Sequence, residues 1–176
     1  MKSVVVTVVG PNRTGIVNEL SMIALQHKAN WLESHLANLA GQFAGIVRFE
    51  VKDADRLGLV GALENINHSG LEIQIVNAES VPESSASELT LDILGLDHPG
   101  IVSDISAVLS ECGVSIEEME SGTLSGAMSG EQLFKATARL GLPPGLTIDA
   151  LNGKLQAIAD DIMVDVHLDS PPPGRT

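Results

Sequence analysis

The sequence predicts an α+β protein made of two tandem βαββαβ units, each a four-stranded antiparallel sheet with two helices on one face. Three observations lead there. Gly10-Pro11-Asn12-Arg13-Thr14-Gly15-Ile16-Val17 returns as Gly95-Leu96-Asp97-His98-Pro99-Gly100-Ile101-Val102, an offset of 85 residues, whereas solenoid repeats run about 20 to 50 residues. At the same offset Val4, Val6 and Val8 map onto Leu89, Leu91 and Ile93, Leu20 onto Ile105, Gly41 onto Gly126, Gly45 onto Gly130 and Phe49 onto Phe134. Around both copies the apolar pattern changes from alternation to helical spacing and back in the same order.

In the first copy, Ser3 to Val9 reads as a strand that breaks at Gly10-Pro11. Ile16, Leu20, Ile23, Ala24 and His27 then fall at helical spacing and mark one buried helix face. Asn30 to Ala40 and Phe43 to Val51 are β-like segments on either side of Gly41-Gln42, which suits a hairpin. Leu59, Leu63 and Ile66 define a second helix that Ser69-Gly70 ends, and Leu71, Ile73 and Ile75 alternate in a closing strand. The second copy repeats the order: strand Glu88 to Leu94, helix stripe Ile101, Ile105, Val108, Leu109 and Cys112, strands Ser115 to Thr123 and Gln132 to Leu140, helix positions Leu151, Leu155 and Ile158, and a last strand through Ile162, Val164, Val166 and Leu168. Cys112 takes the place of His27, and Gly141 to Thr147 reads as an insertion of about six residues. Residues 1–79 and 88–169 are the expected domains, 80–87 a Ser- and Pro-containing linker, and 170–176, with three consecutive prolines, a disordered tail. Right-handed crossovers applied to this order give the ferredoxin-like split βαβ unit twice.

Composition narrows the function. The formal net charge is −13, from 23 acidic and 10 basic side chains, so a phosphate backbone is repelled and direct DNA or RNA binding is not expected. An RNA-binding module of this topology also needs aromatic residues on its central strands, and Val4 to Val9 has none. Cys112, the single cysteine, excludes an intrachain disulfide and fits a reducing, cytoplasmic setting. Gly10-Pro11 cuts the first apolar run too short for a signal sequence, and no stretch reaches the roughly 20 apolar residues of a membrane span.

The chemistry is expected in the loop after the first strand. Gly10 and Gly15 have the spacing of a P-loop, but Ile16-Val17 and Ile101-Val102 stand where its Lys-Ser/Thr belongs. What remains is a tight turn into a helix, with Asn12 or Asp97 placed to cap it, Arg13 or His98 projecting, and Gly15 or Gly100 leaving the first turn open. Unpaired amides and the positive helix end suit a small carboxylate, by roughly 0.3 to 1 kcal/mol when exposed. The plainer reading is that capping and turn geometry alone explain these residues.

Asp97-His98-Pro99-Gly100-Ile101-Val102, with Asn12-Arg13-Thr14-Gly15-Ile16-Val17 as a looser sibling, resembles the motif that opens ACT domains, small βαββαβ modules that bind amino acids. The resemblance covers essentially residues 1 to 169, and the tandem arrangement without an attached enzyme is similar to the glycine cleavage system transcriptional repressor family. It implies an effector held by the first loop of one domain and the start of the second strand or first helix of a neighbour. Carried over, it implicates Asn12, Arg13, Thr14, Gly15 and Ile16, and Asp97, His98, Pro99, Gly100 and Ile101, with Asn30 and Trp31 and their counterparts Ser115 and Ile116 on the second strands. Asn12 and Thr14 depart from the motif, so copy two is the stronger candidate. The resemblance further implies a non-enzymatic sensor of glycine or a similar amino acid, a homo-oligomer without cofactor, which acts through a protein partner such as a DNA-binding activator; the alternative is a ligand-free interaction module.

Other chemistries have less support. The five histidines never form the short-range pair of a helical zinc site. An acylphosphatase-like enzyme would use a first-loop arginine, which Arg13 supplies, but the surrounding loop differs and copy two carries His98 there. No nucleophile, base and orienting group form a set. Glu117-Glu118-Met119-Glu120 reads as a solvated edge strand, and Trp31 suits either a domain interface or one end of the first core.

Overall fold

The computed structural model describes residues 1–66, 70–78, 87–126 and 130–169. The expected tail, nearly all of the expected linker and the Ser69 helix stop lie outside them. The chain divides into two compact units, Met1–Glu83 and Ser84–Thr176. The first holds β1 (Lys2–Pro11), α1 (Ile16–Gln26), β2 (Asn30–Leu39), β3 (Gln42–Val51), α2 (Asp53–Glu64) and β4 (Glu72–Ala78). The second holds β5 (Ser87–Leu96), α3 (Ile101–Glu111), β6 (Ser115–Ser125), β7 (Gln132–Leu142), α4 (Ile148–Asp161) and β8 (Val164–Asp169). The sheets are antiparallel, in the orders β2-β3-β1-β4 and β6-β7-β5-β8, and in each unit the two helices pack on one another.

Alternation decides which face each strand buries. Val4, Val6 and Val8 of β1 are fully buried and meet Ile16, Leu20 and Ala24 of α1 and Leu59 and Leu63 of α2 in one core. Leu89, Leu91 and Ile93 of β5 do the same with Ile105 and Leu109 of α3 and Leu151 and Leu155 of α4. Each such leucine or isoleucine contributes roughly 1.5–3 kcal/mol on burial, so the aliphatic stripes carry both cores. Thr147 caps α4, its Oγ1 accepting the Ala150 amide at 3.3 Å. His27 and Cys112 are equivalent, each the C-cap of its first helix.

The 85-residue offset survives through the second strand. Trp31 pairs with Phe49 and Ile116 with Leu140, and in both copies the next position carries a one-residue β-bulge, at Leu32 and at Glu117. After the bulge Glu33 faces Arg48 and Glu118 faces Arg139, with salt bridges of 3.1 and 3.5 Å.

Beyond that point the sequence alignment needs correcting. Gly10 pairs with Phe43 and Gly95 with Phe134, so the counterpart of Phe134 is Phe43, not Phe49, and Gly45 answers to Ala136, not Gly130. The extra residues of copy two sit between β6 and β7. Leu39 and Gln42 close the first hairpin over Ala40 and Gly41, both at positive φ as a type I′ turn requires, whereas Ser125 and Gln132 close the second. Gly141 to Thr147 is therefore not the main insertion: Gly141 and Leu142 complete β7, pairing with Glu88 and Ser87.

Candidate functional site

Each unit carries the same loop between its first strand and first helix, moored to the adjacent hairpin. The Asn12 amide donates to the Gly41 carbonyl at 2.8 Å, and the Asp97 amide to the Gln132 carbonyl at 2.9 Å. Neither Asn12 nor Asp97 caps its helix. The N-caps are Gly15 and Gly100, in the left-handed region at φ 95° and 110°, with no side-chain cap hydrogen bond. The helices begin four residues beyond Asn12 and Asp97, whereas a capping side chain must sit at the N-cap itself to reach the N2 or N3 amide. The Gly15 and Gly100 carbonyls accept the first intrahelical bonds, from Glu19 and Asp104, both at 2.9 Å. The preceding amides of each first turn thus have neither a helical acceptor nor a side-chain cap, and nothing lies within 4 Å of the position a Gly15 Cβ would take.

The loop side chains differ between copies. Arg13 is tied to its own helix, its Nη2 2.5 Å from Glu19 Oε2. His98 does not simply project: its Nε2 lies 2.9 Å from the Ile162 carbonyl at the end of α4, and its Nδ1 3.1 Å from the Pro99 carbonyl. A ring with carbonyls at both nitrogens can donate to both only when protonated. The Ile162 and then the Pro99 hydrogen bonds raise the His98 pKa above 6.5, desolvation opposes them, and Asp104 and Asp97 add to the rise. Asn12, Thr14, Asp97 and Pro99 are exposed. Ile16 and Ile101, each 2% exposed, belong to the cores, so they can offer a ligand only their amides.

Within a unit the second-strand candidates lie far from the loop. Trp31 pairs with Phe49, which pairs with Val4, and Ile116 reaches Leu89 through Leu140 in the same way. Seven residues of strand, on the order of 23 Å, separate Val4 from Pro11. Asn30 and Trp31, or Ser115 and Ile116, are therefore at the opposite end of the sheet from Asn12 to Ile16, or Asp97 to Ile101. Trp31 packs on the first core, edge-on to Phe49 with ring centroids 5.3 Å apart and planes at 84°. Ser115 Oγ donates to the Glu117 carboxylate and sits 3.3 Å from the Gly141 carbonyl. Ile116 lines, with Val102, Ile105 and Met119, an apolar crevice of about 10 Å³, the size of one water and too small for an amino acid.

Sequence reasoning missed Glu19, Asp104 and the mooring carbonyls of Gly41, Gln132 and Ile162. The two acids could have been found, since both fall three residues after the helix start at the same 85-residue offset; the carbonyls leave no side-chain signal. Among the described residues no three His, Cys, Asp or Glu side chains converge on a metal position, and no helix is long and apolar enough to cross a membrane.

Two βαββαβ units with glycine-capped first helices define a tandem array of small ferredoxin-like modules. The chain belongs to the ACT domain family, whose model matches residues 2–75 and 87–168. It is similar to a protein of unknown function from Galdieria sulphuraria, with 32% identity over 97% of this chain and 99% of that one and a TM-score of 0.86. A protein provisionally named a glycine cleavage system transcriptional repressor shares the fold at 15% identity, 96% coverage of both chains and a TM-score of 0.71. No curated protein matches.

Proposed function

We propose that this is a non-enzymatic, cytoplasmic regulatory protein that senses glycine or a similar small amino acid through its first-helix loops. The repeated left-handed glycine at each helix start carries the reading: it leaves the first-turn amides uncapped beside exposed loop residues. A ligand carboxylate there would gain roughly 0.3 to 1 kcal/mol from the helix end, up to about 2 when partly buried. Asp97 offers copy two an exposed carboxylate for the ammonium group, whereas copy one offers Arg13, already paired with Glu19. Copy two is the better candidate, and the Arg13–Glu19 pair favours a second reading in which copy one serves only as an interaction module. The resemblance to the repressor family supports transcriptional control as the output, and the charge of −13 directs it to a DNA-binding activator rather than DNA.

Calorimetric titration with glycine, serine, alanine and the branched-chain amino acids tests the sensor. Saturable binding to one of them, lost in Asp97→Ala and Gly100→Val, is the expected result; no binding to any would leave the ligand-free module. Retention of naked operator DNA at physiological salt without a partner would overturn the route through an activator.

A further inference from the structure

On the second sheet Ala136, Ala138 and Leu140 of β7 turn into the core, so the residues between them face away from the helices and line up in rows with their neighbours on β6 and β5. One row is Glu120, Thr137 and Asp92, the next Gly122, Lys135 and Leu94, and the third Leu124, Leu133 and Leu96. Glycine in the middle row leaves a notch, since nothing lies within 4 Å of the position a Gly122 Cβ would take. Around it runs an open groove of about 300 Å³, walled by Glu120 and Leu124 of β6 and by Lys135 and Thr137 of β7. That volume is at the lower end of the roughly 300–1,000 Å³ of small-molecule sites and holds a single amino acid.

The three rows differ in chemistry. Thr137 Oγ1 donates to Asp92 Oδ1 at 2.5 Å, which leaves its lone pairs as acceptors, so with the Glu120 and Asp92 carboxylates the first row attracts a cation. In the middle row the Lys135 ammonium is the only polar side chain, and the third row is leucine throughout. Successive rows are about 7 Å apart along the strands. Glu120 and Lys135 stand diagonally across the notch, and among the described residues no ion pair joins them, whereas Arg139 and Glu118 in the row beyond are paired.

The fold does not call for this set. At the matching register positions the first copy has His35 for Glu120, Ala37 for Gly122, Ala44 for Lys135 and Ile46 for Thr137, and it builds the same sheet. Protection of the sheet edge explains a charge on β6, but Lys135 is on β7, an inner strand. Residues 87–169 carry three basic side chains, Lys135 among them, against 14 acidic ones. Such a field repels a free anion, so a carboxylate that meets Lys135 must bring its own cation.

We propose that this groove binds an α-amino acid with an aliphatic side chain, its ammonium at Glu120 and Thr137, its carboxylate at Lys135 and its side chain on Leu124. The groove lies on the face opposite the helices, and the proposal stands without the first-helix loops of the reading above.

Calorimetric titration of the full chain with L-leucine tests it, alongside 3-methylbutylamine and 4-methylpentanoate, which carry only one of its two charges. Saturable leucine binding is expected, weakened at least tenfold by Glu120→Gln, by Lys135→Met and by Gly122→Val, which fills the notch without meeting another atom, while far-UV circular dichroism is unchanged. Glu118→Gln, the loss of the same charge outside the groove, should stay within twofold of wild type, and neither single-charge analogue should compete. In amide NMR spectra leucine should shift Gly122, Lys135 and Thr137. Absence of saturation up to concentrations on the order of 10 mM, beyond any useful affinity, would overturn the proposal, as would binding that survives Gly122→Val. Shifts confined to the amides of Asp97 to Asp104 would also overturn it and would instead support the loop as the binding site.

Discussion

His98 and Ile162 are 64 residues apart in sequence and joined in space, the imidazole Nε2 lying 2.9 Å from the backbone carbonyl. The bond fastens the β5–α3 loop to the turn between α4 and β8. Because the pKa of His98 is raised in the fold, its contribution to stability is complete below about 6.5 and is lost as pH rises through the higher folded-state value. Thermal unfolding of the wild type should therefore weaken from pH 6 to pH 8 relative to His98→Ala. NMR titration of the His98 ring should give a pKa above 6.5; a value at or below it would mean that the two carbonyl contacts do not persist in solution.

Gly15 and Gly100 occupy backbone conformations that other residues adopt at a cost of roughly 1–2 kcal/mol. Nothing surrounds the missing Gly15 Cβ, so strain is the only penalty there. Gly15→Ala should destabilise the first domain by about 1 kcal/mol and Gly15→Asn by less, since asparagine tolerates the left-handed region. Denaturant unfolding of the pair checks this, and equal losses would show that contacts, not φ, set the cost.

Gly95 is required for a different reason. A Cβ there would lie 2.6 Å from Val164 Cγ1, 2.8 Å from Val164 Cα and 2.9 Å from the Met163 carbonyl. Backbone cannot yield as a side chain does, so Gly95→Ala should cost at least about 2 kcal/mol and displace the start of β8. It should also disturb the neighbouring Ile162 carbonyl, bringing the His98 pKa back toward its ordinary value.

Trp31 is the only tryptophan and stands edge-on to Phe49 in the first core. Its fluorescence should follow unfolding of the first domain alone, while circular dichroism follows both. Leu59→Ala should lower the fluorescence midpoint by an amount corresponding to about 2–5 kcal/mol; Leu151→Ala should leave it in place and shift the circular dichroism curve. Coincident shifts in both probes would show that the two units unfold as one.

The element order and the cores were legible because aliphatic periodicity encodes them directly: Val4, Val6 and Val8 on a strand, and Ile101, Ile105 and Leu109 on a helix, lie where their spacing places them. The mismatch of Phe49 with Phe134 arose because an ungapped offset cannot see a longer hairpin, and the glycines at Gly41 and Gly126 happened to agree across it. At the loop, Gly15 and Gly100 were legible as conformational requirements, but the capping role given to Asn12 and Asp97 was not, since residue type alone does not locate the first helical hydrogen bond. The attachments of Asn12, Asp97 and His98 end on the carbonyls of Gly41, Gln132 and Ile162, and a carbonyl is the same in every residue. That Asn30 and Trp31 fall at the far end of the sheet follows from the antiparallel path of α1, which returns the chain to where β1 began.

The bulges at Leu32 and Glu117 decide which half of each edge strand is wet. Losing Leu32 would leave Trp31 opposite Phe49 and Glu33 opposite Arg48, with Leu36 still on the core side, because the bulge residue is the one that stands outside the ladder. A deletion of three nucleotides at that point would therefore be absorbed, whereas the same deletion in the regular part of the ladder would exchange the two sides of the strand beyond it, which makes the bulge a place where this edge has slack in its count of residues.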